Sequence, residues 1–334
     1  IASAGIWKSY FLGPLLFFAV FLDIFGRMDA KNQELKINIL LRSFLCSGYI
    51  VAIIALAYLL SGKLTYDGRL SAFYLSPNHL AMFLAPVFLV NLYFFFKASG
   101  IKKVVLFLGM AFMVLLFYAT RSSGAWAGLA AGILFWLFLK YQRLFNRKTV
   151  ICCLIFLLLL FVVIILKLPA IADYFDSGGR SSLHSRLMIW RSAMEILKDN
   201  WILGIGPGMF QEYYLAYQKY FIPYLEWAVP QPHNIFLAFW LQTGLIGLIG
   251  LIWLLAVLWR QIINMLRDEK FLLRGFLIAA FFIYFLVHGM VDTIYWKNDL
   301  ALIFWFFAGI ILTVPCRALS ICKQTGRNAD NSHP

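Results

Sequence analysis

Runs of about 20 apolar residues, separated by short polar connections, follow one another along nearly the whole chain, and no other feature restricts the possible folds so strongly. A helix of that length crosses a hydrocarbon core of about 30 Å, where every backbone N–H and C=O must find its partner inside the protein. About nine such spans can be drawn, at 6–22, 40–60, 79–96, 104–120, 124–140, 149–168, 234–259, 275–291 and 298–315. The short alternating segments of a membrane β-barrel are not found in the sequence. Composition agrees, since 63% of residues are hydrophobic, 18% aromatic and 13% charged, which is too apolar for the surface of a soluble domain. The expected architecture is an all-α polytopic membrane protein. Residues 1–168 form about six N-terminal transmembrane helices, 169–232 one long loop, 233–316 about three C-terminal transmembrane helices and 317–334 a tail. The chain opens at Ile1 and enters a span within a few residues, which reads as a fragment lacking its N-terminal part.

The net charge of +14 raises nucleic acid as a partner, but the placement of the basic residues argues against it. They gather at alternate span ends: Lys97, Lys102 and Lys103; Lys140, Arg143, Arg147 and Lys148; Arg260, Arg267, Lys270 and Arg274; and Arg317, Lys323 and Arg327. That is the positive-inside pattern, which assigns those ends, and the 317–334 tail, to the cytoplasm. Connections 61–78, 121–123, 169–232 and 292–297 then face outward. The long loop carries both signs, Arg180, Arg186, Arg191, Lys198 and Lys219 against Asp173, Asp176, Glu195, Asp199, Glu212 and Glu226, so a cation acting there acts individually. Arg121, in TRSSGAW, stands on the outward side where cations are disfavoured. Such a group is either a site residue or an arginine reaching for lipid phosphate. The five cysteines, Cys46, Cys152, Cys153, Cys316 and Cys322, all avoid the long loop and offer neither a disulfide framework nor a zinc spacing.

Within the loop, Leu183, Leu187, Trp190, Met194, Leu197 and Trp201 recur at steps of four and three, the spacing of an amphipathic helix. At about 100° per residue, Arg186 falls at the edge of the apolar face, and Arg191 falls on the opposite side with His184, Glu195 and Lys198. Arg186 therefore either points into whatever the helix packs on or covers apolar surface. Arg191 is expected to pair with Glu195 four residues on, a weak surface contact. GIGPG at 204–208 ends the helix; without the lysine and Ser/Thr of a P-loop it reads as structural. Phe210, Tyr213, Tyr214, Tyr217, Tyr220, Phe221, Tyr224 and Trp227 suit a membrane interface, and a few of them sugar faces. Pro230 and Pro232 stiffen the approach to His233 and Asn234 at the mouth of the next span, where Asn234 is a competent N-cap. His79 follows Asn78 at a helix start and reads as part of a cap, and His184 is an alternative base on the solvent side of its helix.

The ordered set of these pieces carries a resemblance. Arg186, Ile189 and Trp190 on one helix, Leu-Gly-Ile-Gly-Pro-Gly at 203–208, and His233-Asn234 opening a span with Gly-Leu-Ile-Gly at 244–247 resemble the O-antigen ligase and polymerase superfamily. TRSSGAW is similar to that family's Ser/Thr-Arg-small-Gly entry to a span, and SPNHLA at 76–81 resembles its Pro-Asn helix start. The match covers most of the chain from Ser76 onward. It implies a GT-C-like membrane glycosyltransferase that lacks about three N-terminal spans of a typical member. Its members move a glycan from undecaprenyl diphosphate to an acceptor hydroxyl at the periplasmic face of the bacterial inner membrane. The resemblance implies His233 as base or acceptor-orienting group and Arg121 and Arg186 as diphosphate ligands, with no metal and no cofactor. Asn234, His288, Asp292, Arg191 and Lys297 complete the expected substrate-binding set; His288 and Asp292, four apart, share a face and could orient one another. The partners are the undecaprenyl-diphosphate-linked glycan, its acceptor and membrane lipids. A ligase takes lipid A core as acceptor, a polymerase a second lipid-linked repeat unit, and a protein glycosyltransferase a polypeptide. A lipid-linked glycan flippase, of a different class, would also want arginines facing phosphate, but with polar groups at mid-membrane depth.

Overall fold

The computed structural model describes residues 2–141, 182–221 and 227–313. Helix α1 (Ala2–Trp7) runs through a π-helical turn, Lys8–Leu12, into α2 (Gly13–Gly26). Then come α3 (Ala30–Leu60), α4 (Pro77–Lys97), α5 (Gly100–Thr120) and α6 (Ser123–Tyr141). The loop region contributes α7 (Ser182–Asn200) and α8 (Phe210–Tyr217), and α9 (Ile235–Leu266), α10 (Leu272–Gly289) and α11 (Asn298–Leu312) follow. Seven of these elements are long and apolar enough to cross a membrane, the run from Ser3 to Gly26 counting as one; α11 is apolar but shorter. The chain is an all-α, multi-pass membrane protein. The expected span at 149–168, loop residues Asp173, Asp176, Arg180, Tyr224 and Glu226, Arg143, Arg147, Lys148, Cys152, Cys153 and the residues from Pro315 onward lie outside the described residues.

Caps set the helix starts. Ser76 accepts from the His79 N–H ahead of Pro77, whose fixed φ suits a first helical position. Asp29 accepts from the Asn32 N–H and starts α3 ten residues earlier than the apolar run beginning at Leu40, because the cap lets the helix continue through polar Lys31, Asn32 and Glu34. Helices α4 and α10 form the buried centre. Lipid tails give helices no hydrophobic reason to associate, so close backbone approach has to hold α6 on α10. Gly124, Gly128 and Gly132 provide it: a Cβ on Gly132 would lie 2.7 Å from the Ala280 carbonyl oxygen, and one on Gly128 2.9 Å from the Tyr284 ring. At the far end Arg274 of α10, only 4% exposed, pairs with Glu34 of α3.

One helix is too long for its place. Straight, the 32 residues of α9 would run about 48 Å and the 18 of α10 about 27 Å. A short turn joins them at one end, yet His233 just before α9 meets Asp292 just after α10 at the other. The excess is absorbed at Gly244, where φ 72° and ψ −176° break the helix. Residues 235–243 therefore cross the end of the bundle, and the remainder descends as the span. The break is filled by the chain leaving α7: Leu245 N donates to Ile202 O at 2.9 Å, Ile205 N to Leu241 O at 2.6 Å, and Trp240 Nε1 to Trp201 O at 2.7 Å. Glycine is required on both sides, since a Cβ at Gly204 (φ 71°) would stand 2.3 Å from Leu241 O and one at Gly244 2.5 Å from Ile202 O. The two glycine motifs meet backbone to backbone, which is why GIGPG needs no ligand to explain it.

Candidate active site at the loop end of the bundle

The connections after α3, α5 and α10 and the approach to α9 converge at one end. Leu70 N donates to Ala119 O at 2.9 Å, and Arg69 Nε donates to Thr120 O at 2.8 Å. Asn78 Nδ2, in the first turn of α4, donates to Asp292 Oδ2 at 2.9 Å. Asp292 is the hub. It is 5% exposed, its Oδ1 accepts from the Thr293 N–H at 2.8 Å, and His233 Nδ1 lies 3.0 Å from the same oxygen. Burial alone would raise its pKa; the adjoining His233 ring, with His288 and Arg186 behind it, outweighs burial and holds the carboxyl well below the usual range. An ionised carboxylate only accepts, so His233 Nδ1 is the donor, and in the neutral ring Nε2 then holds the free lone pair. That nitrogen has no hydrogen-bond partner among the described residues, and the side chain is 32% exposed. The His233 backbone is left-handed at φ 47°, and its carbonyl accepts from Trp190 Nε1 at 3.3 Å, so α7 and the Asp292 carboxylate both fix the ring.

Arg186 stands on the same carboxylate, Nη2 to Asp292 Oδ2 at 3.9 Å, with its side chain only 14% exposed. Burial pushes its pKa down, opposed by Asp292 and reinforced by the nearby Arg69. The separation is an ion pair but too long for a hydrogen bond, and the guanidinium makes no hydrogen bond among the described residues. Its N–H donors are half-buried and open to a ligand, and one with several anionic oxygens would take them as a fork. Arg69 donates Nη2 to Asn78 Oδ1 at 2.7 Å and lies 3.7 Å from Asp67. The polar chain thus runs Arg69, Asn78, Asp292, His233, with Arg186 alongside.

Of the residues singled out in the sequence, His233, Arg186 and Asp292 are brought together. Arg121 is at the same end, exposed, left-handed at φ 49°, with no ion pair among the described residues; Arg69 is bonded to the carbonyl immediately before it. His288 is buried against Tyr284, whose hydroxyl is 3.0 Å from His288 Nδ1. The expected mutual orientation of His288 and Asp292 is replaced: α10 ends at Gly289, Asp292 N donates to His288 O at 2.9 Å, and the carboxylate turns to His233. Most of the hydrogen-bonding capacity of Asn234 is spent on the scaffold, with one amide N–H left over. Its oxygen caps Phe236 N and Leu237 N, each at 3.0 Å, and its amide donates to Met290 O at 2.9 Å. Arg191 is exposed, and the Glu195 carboxylate expected to pair with it takes Lys198 Nζ at 2.6 Å instead. His79 takes part in the cap through its N–H, which donates to Ser76 Oγ at 3.2 Å, and its ring Nε2 is 2.9 Å from Asp299 Oδ1. Lys297 lines a separate cavity. Arg69 and Asn78 were missed as site residues. Arg69 carried the same signal as Arg121, a cation on the side where the positive-inside rule disfavours one.

The fold is that of a multi-pass membrane protein with a polar cluster gathered at one end of the bundle. Residues 108–252 match the family model described as O-antigen ligase, the family that the sequence motifs resemble. The matched stretch includes Arg121, Arg186 and His233; Arg69, Asn78 and Asp292 lie outside it. A comparison with curated proteins finds no match.

Proposed function

We propose that the chain is a glycosyltransferase of the ligase type, moving a glycan from undecaprenyl diphosphate to a sugar hydroxyl of lipid A core at the periplasmic face of the inner membrane. The observation that carries this reading is an Asp-oriented histidine with an open Nε2 beside a half-buried arginine whose donors have no protein acceptor among the described residues. A sugar hydroxyl is a poor nucleophile. His233 Nε2 takes its proton as the oxygen attacks the anomeric carbon, a contribution of about 10²–10⁴ in rate. The bond from that carbon to the diphosphate oxygen breaks, and the electron pair leaves with the lipid diphosphate. Arg186 and Arg69, with exposed Arg121 at the mouth, hold the developing charge, so no metal is needed for that task. A single displacement inverts the anomeric configuration. Asn78 is a positioning residue, tying Arg69 to Asp292.

The test is an in vitro reaction offering one undecaprenyl-diphosphate glycan to lipid A core and to a second copy of itself. Extension of the core, with the anomeric centre inverted by NMR, supports the proposal. Extension of the lipid-linked glycan alone makes the chain a polymerase, and neither product removes the transferase reading.

A further inference from the structure

The proposed site accounts for a base and for a place to hold the leaving diphosphate, but not for where the second substrate rests. A cavity of about 590 Å³ opens at the same end of the bundle, lined by residues that the dyad does not use. Gln211 and Glu212 come from the start of α8, Gln231 from the approach to α9, Lys297 from the N-cap of α11, and Tyr10 supplies aromatic wall, backed by the buried Trp296 ring. Glu212 and Lys297 have no side-chain partner among the described residues. Among the described residues Gln231 accepts through its oxygen from Gln242 Nε2 at 2.7 Å, so its amide N–H groups remain to donate. The position of Gly208 opens the wall, because a Cβ there would lie 2.5 Å from Ile6 Cδ1.

From this arrangement we infer that the cavity is the acceptor subsite, binding the sugar whose hydroxyl His233 activates. Two features point to a sugar. Donors and acceptors of three kinds (carboxylate, amide and ammonium) stand around aromatic wall in a space about the size of a di- or trisaccharide, as ring hydroxyls and a ring face require. An apolar lipid tail would leave Glu212, Gln231 and Lys297 facing hydrocarbon, at the cost of unpaired polar groups. Location supports it as well: Gln231 is two residues from His233, so their Cα atoms are at most about 7 Å apart, and Trp296 follows Asp292 by four. The two chain segments that hold the dyad therefore form one wall of the cavity. The donor, by contrast, meets Arg186 and Arg69, neither of which lines the cavity.

This inference rests on the transferase reading, and two measurements separate their failures. In steady-state transfer with wild-type protein, Glu212→Gln and Lys297→Met are each expected to raise KM for the acceptor about tenfold, one charge-assisted hydrogen bond, and to leave KM for the donor within twofold. A rise in donor KM instead assigns the cavity to the lipid diphosphate, and no change in either overturns the proposal. Independently of any turnover, saturation-transfer NMR on the detergent-solubilised protein with maltotriose as probe is expected to show binding that the Glu212→Gln, Lys297→Met double variant loses. Equal signal from both proteins, or none from the wild type, overturns the subsite. Binding without transfer keeps the cavity as a sugar site and removes only the transferase reading.

Discussion

The Asp292 carboxylate and the His233 imidazole, 59 positions apart in sequence, meet at 3.0 Å through Nδ1 and so present Nε2 outward. One residue of the pair fixes the tautomer of the other, so each has a distinct mutational signature.

Asp292→Asn places an amide where a carboxylate stood. The amide can offer N–H to Nδ1 and move the ring hydrogen to Nε2, which removes the base while keeping the shape. Transfer is expected to fall by about 10²–10⁴ in kcat with KM for the donor little changed. His233→Ala should fall at least as far. A loss under tenfold for Asp292→Asn, measured by single-turnover transfer, would remove the dyad from the chemistry.

Arg186→Ala removes the half-buried guanidinium that lacks hydrogen bonds among the described residues, and should abolish transfer with the protein still inserted. Arg186→Lys should recover little, because an ammonium cannot present the same fork to a diphosphate. Arg69→Ala should lower kcat and raise donor KM, since it removes a cation beside Arg186 and also frees Asn78. Arg191→Ala should stay within about twofold of wild type, the residue being exposed on the other helix face. EDTA should leave transfer intact, and a strict divalent-metal requirement would defeat the arginine model.

Asp292 also makes stability depend on pH, with a definite sign. Its pKa is lower in the folded protein than in the unfolded chain, so the stability it contributes is complete above the ordinary carboxylate range and is lost as pH falls toward its native value. The thermal midpoint of the wild type minus that of Asp292→Asn should be larger at about pH 5 than at about pH 3, shrinking as pH falls below about 4. A gap that widens with acid would contradict the ionised, buried carboxylate.

Gly244→Ala and Gly204→Ala should each destabilise by more than about 1 kcal/mol, since both positions combine positive φ with backbone oxygen where the Cβ would go. Gly250→Ala, in the same helix with nothing within 4 Å, is the control and should be neutral or slightly stabilising. Thermal unfolding in detergent reads all three.

Much of the scaffold could be read from local pattern. Apolar runs placed α4 through α6 within a few residues of Pro77–Lys97, Gly100–Thr120 and Ser123–Tyr141, because length and hydropathy are local quantities. Helix phase separated Arg186, which is half-buried, from Arg191, which is exposed, since a 100° step needs only the helix itself. What it could not supply were pairings across the bundle. Asn78 reaches Asp292 over 214 positions and His79 reaches Asp299 over 220, and no periodicity records such contacts. Arg69 lies in a connection without regular structure, where there is no phase to indicate a side. The helix break at Gly244 was hidden as well, since the apolar run continues through it unchanged.

That break divides the duties of α9. Only about 22 residues, from Leu245 to Leu266, need match the thickness of a bilayer, at about 33 Å. The segment before them works as a spacer of fixed length between the Ile202 backbone and Asp292. A residue inserted after Gly244 is therefore a question of membrane fit, absorbed by tilt. A residue inserted before it would rotate His233 by about 100° and move it about 1.5 Å along the segment, so that a change silent to the lipid would take the base out of register with its carboxylate.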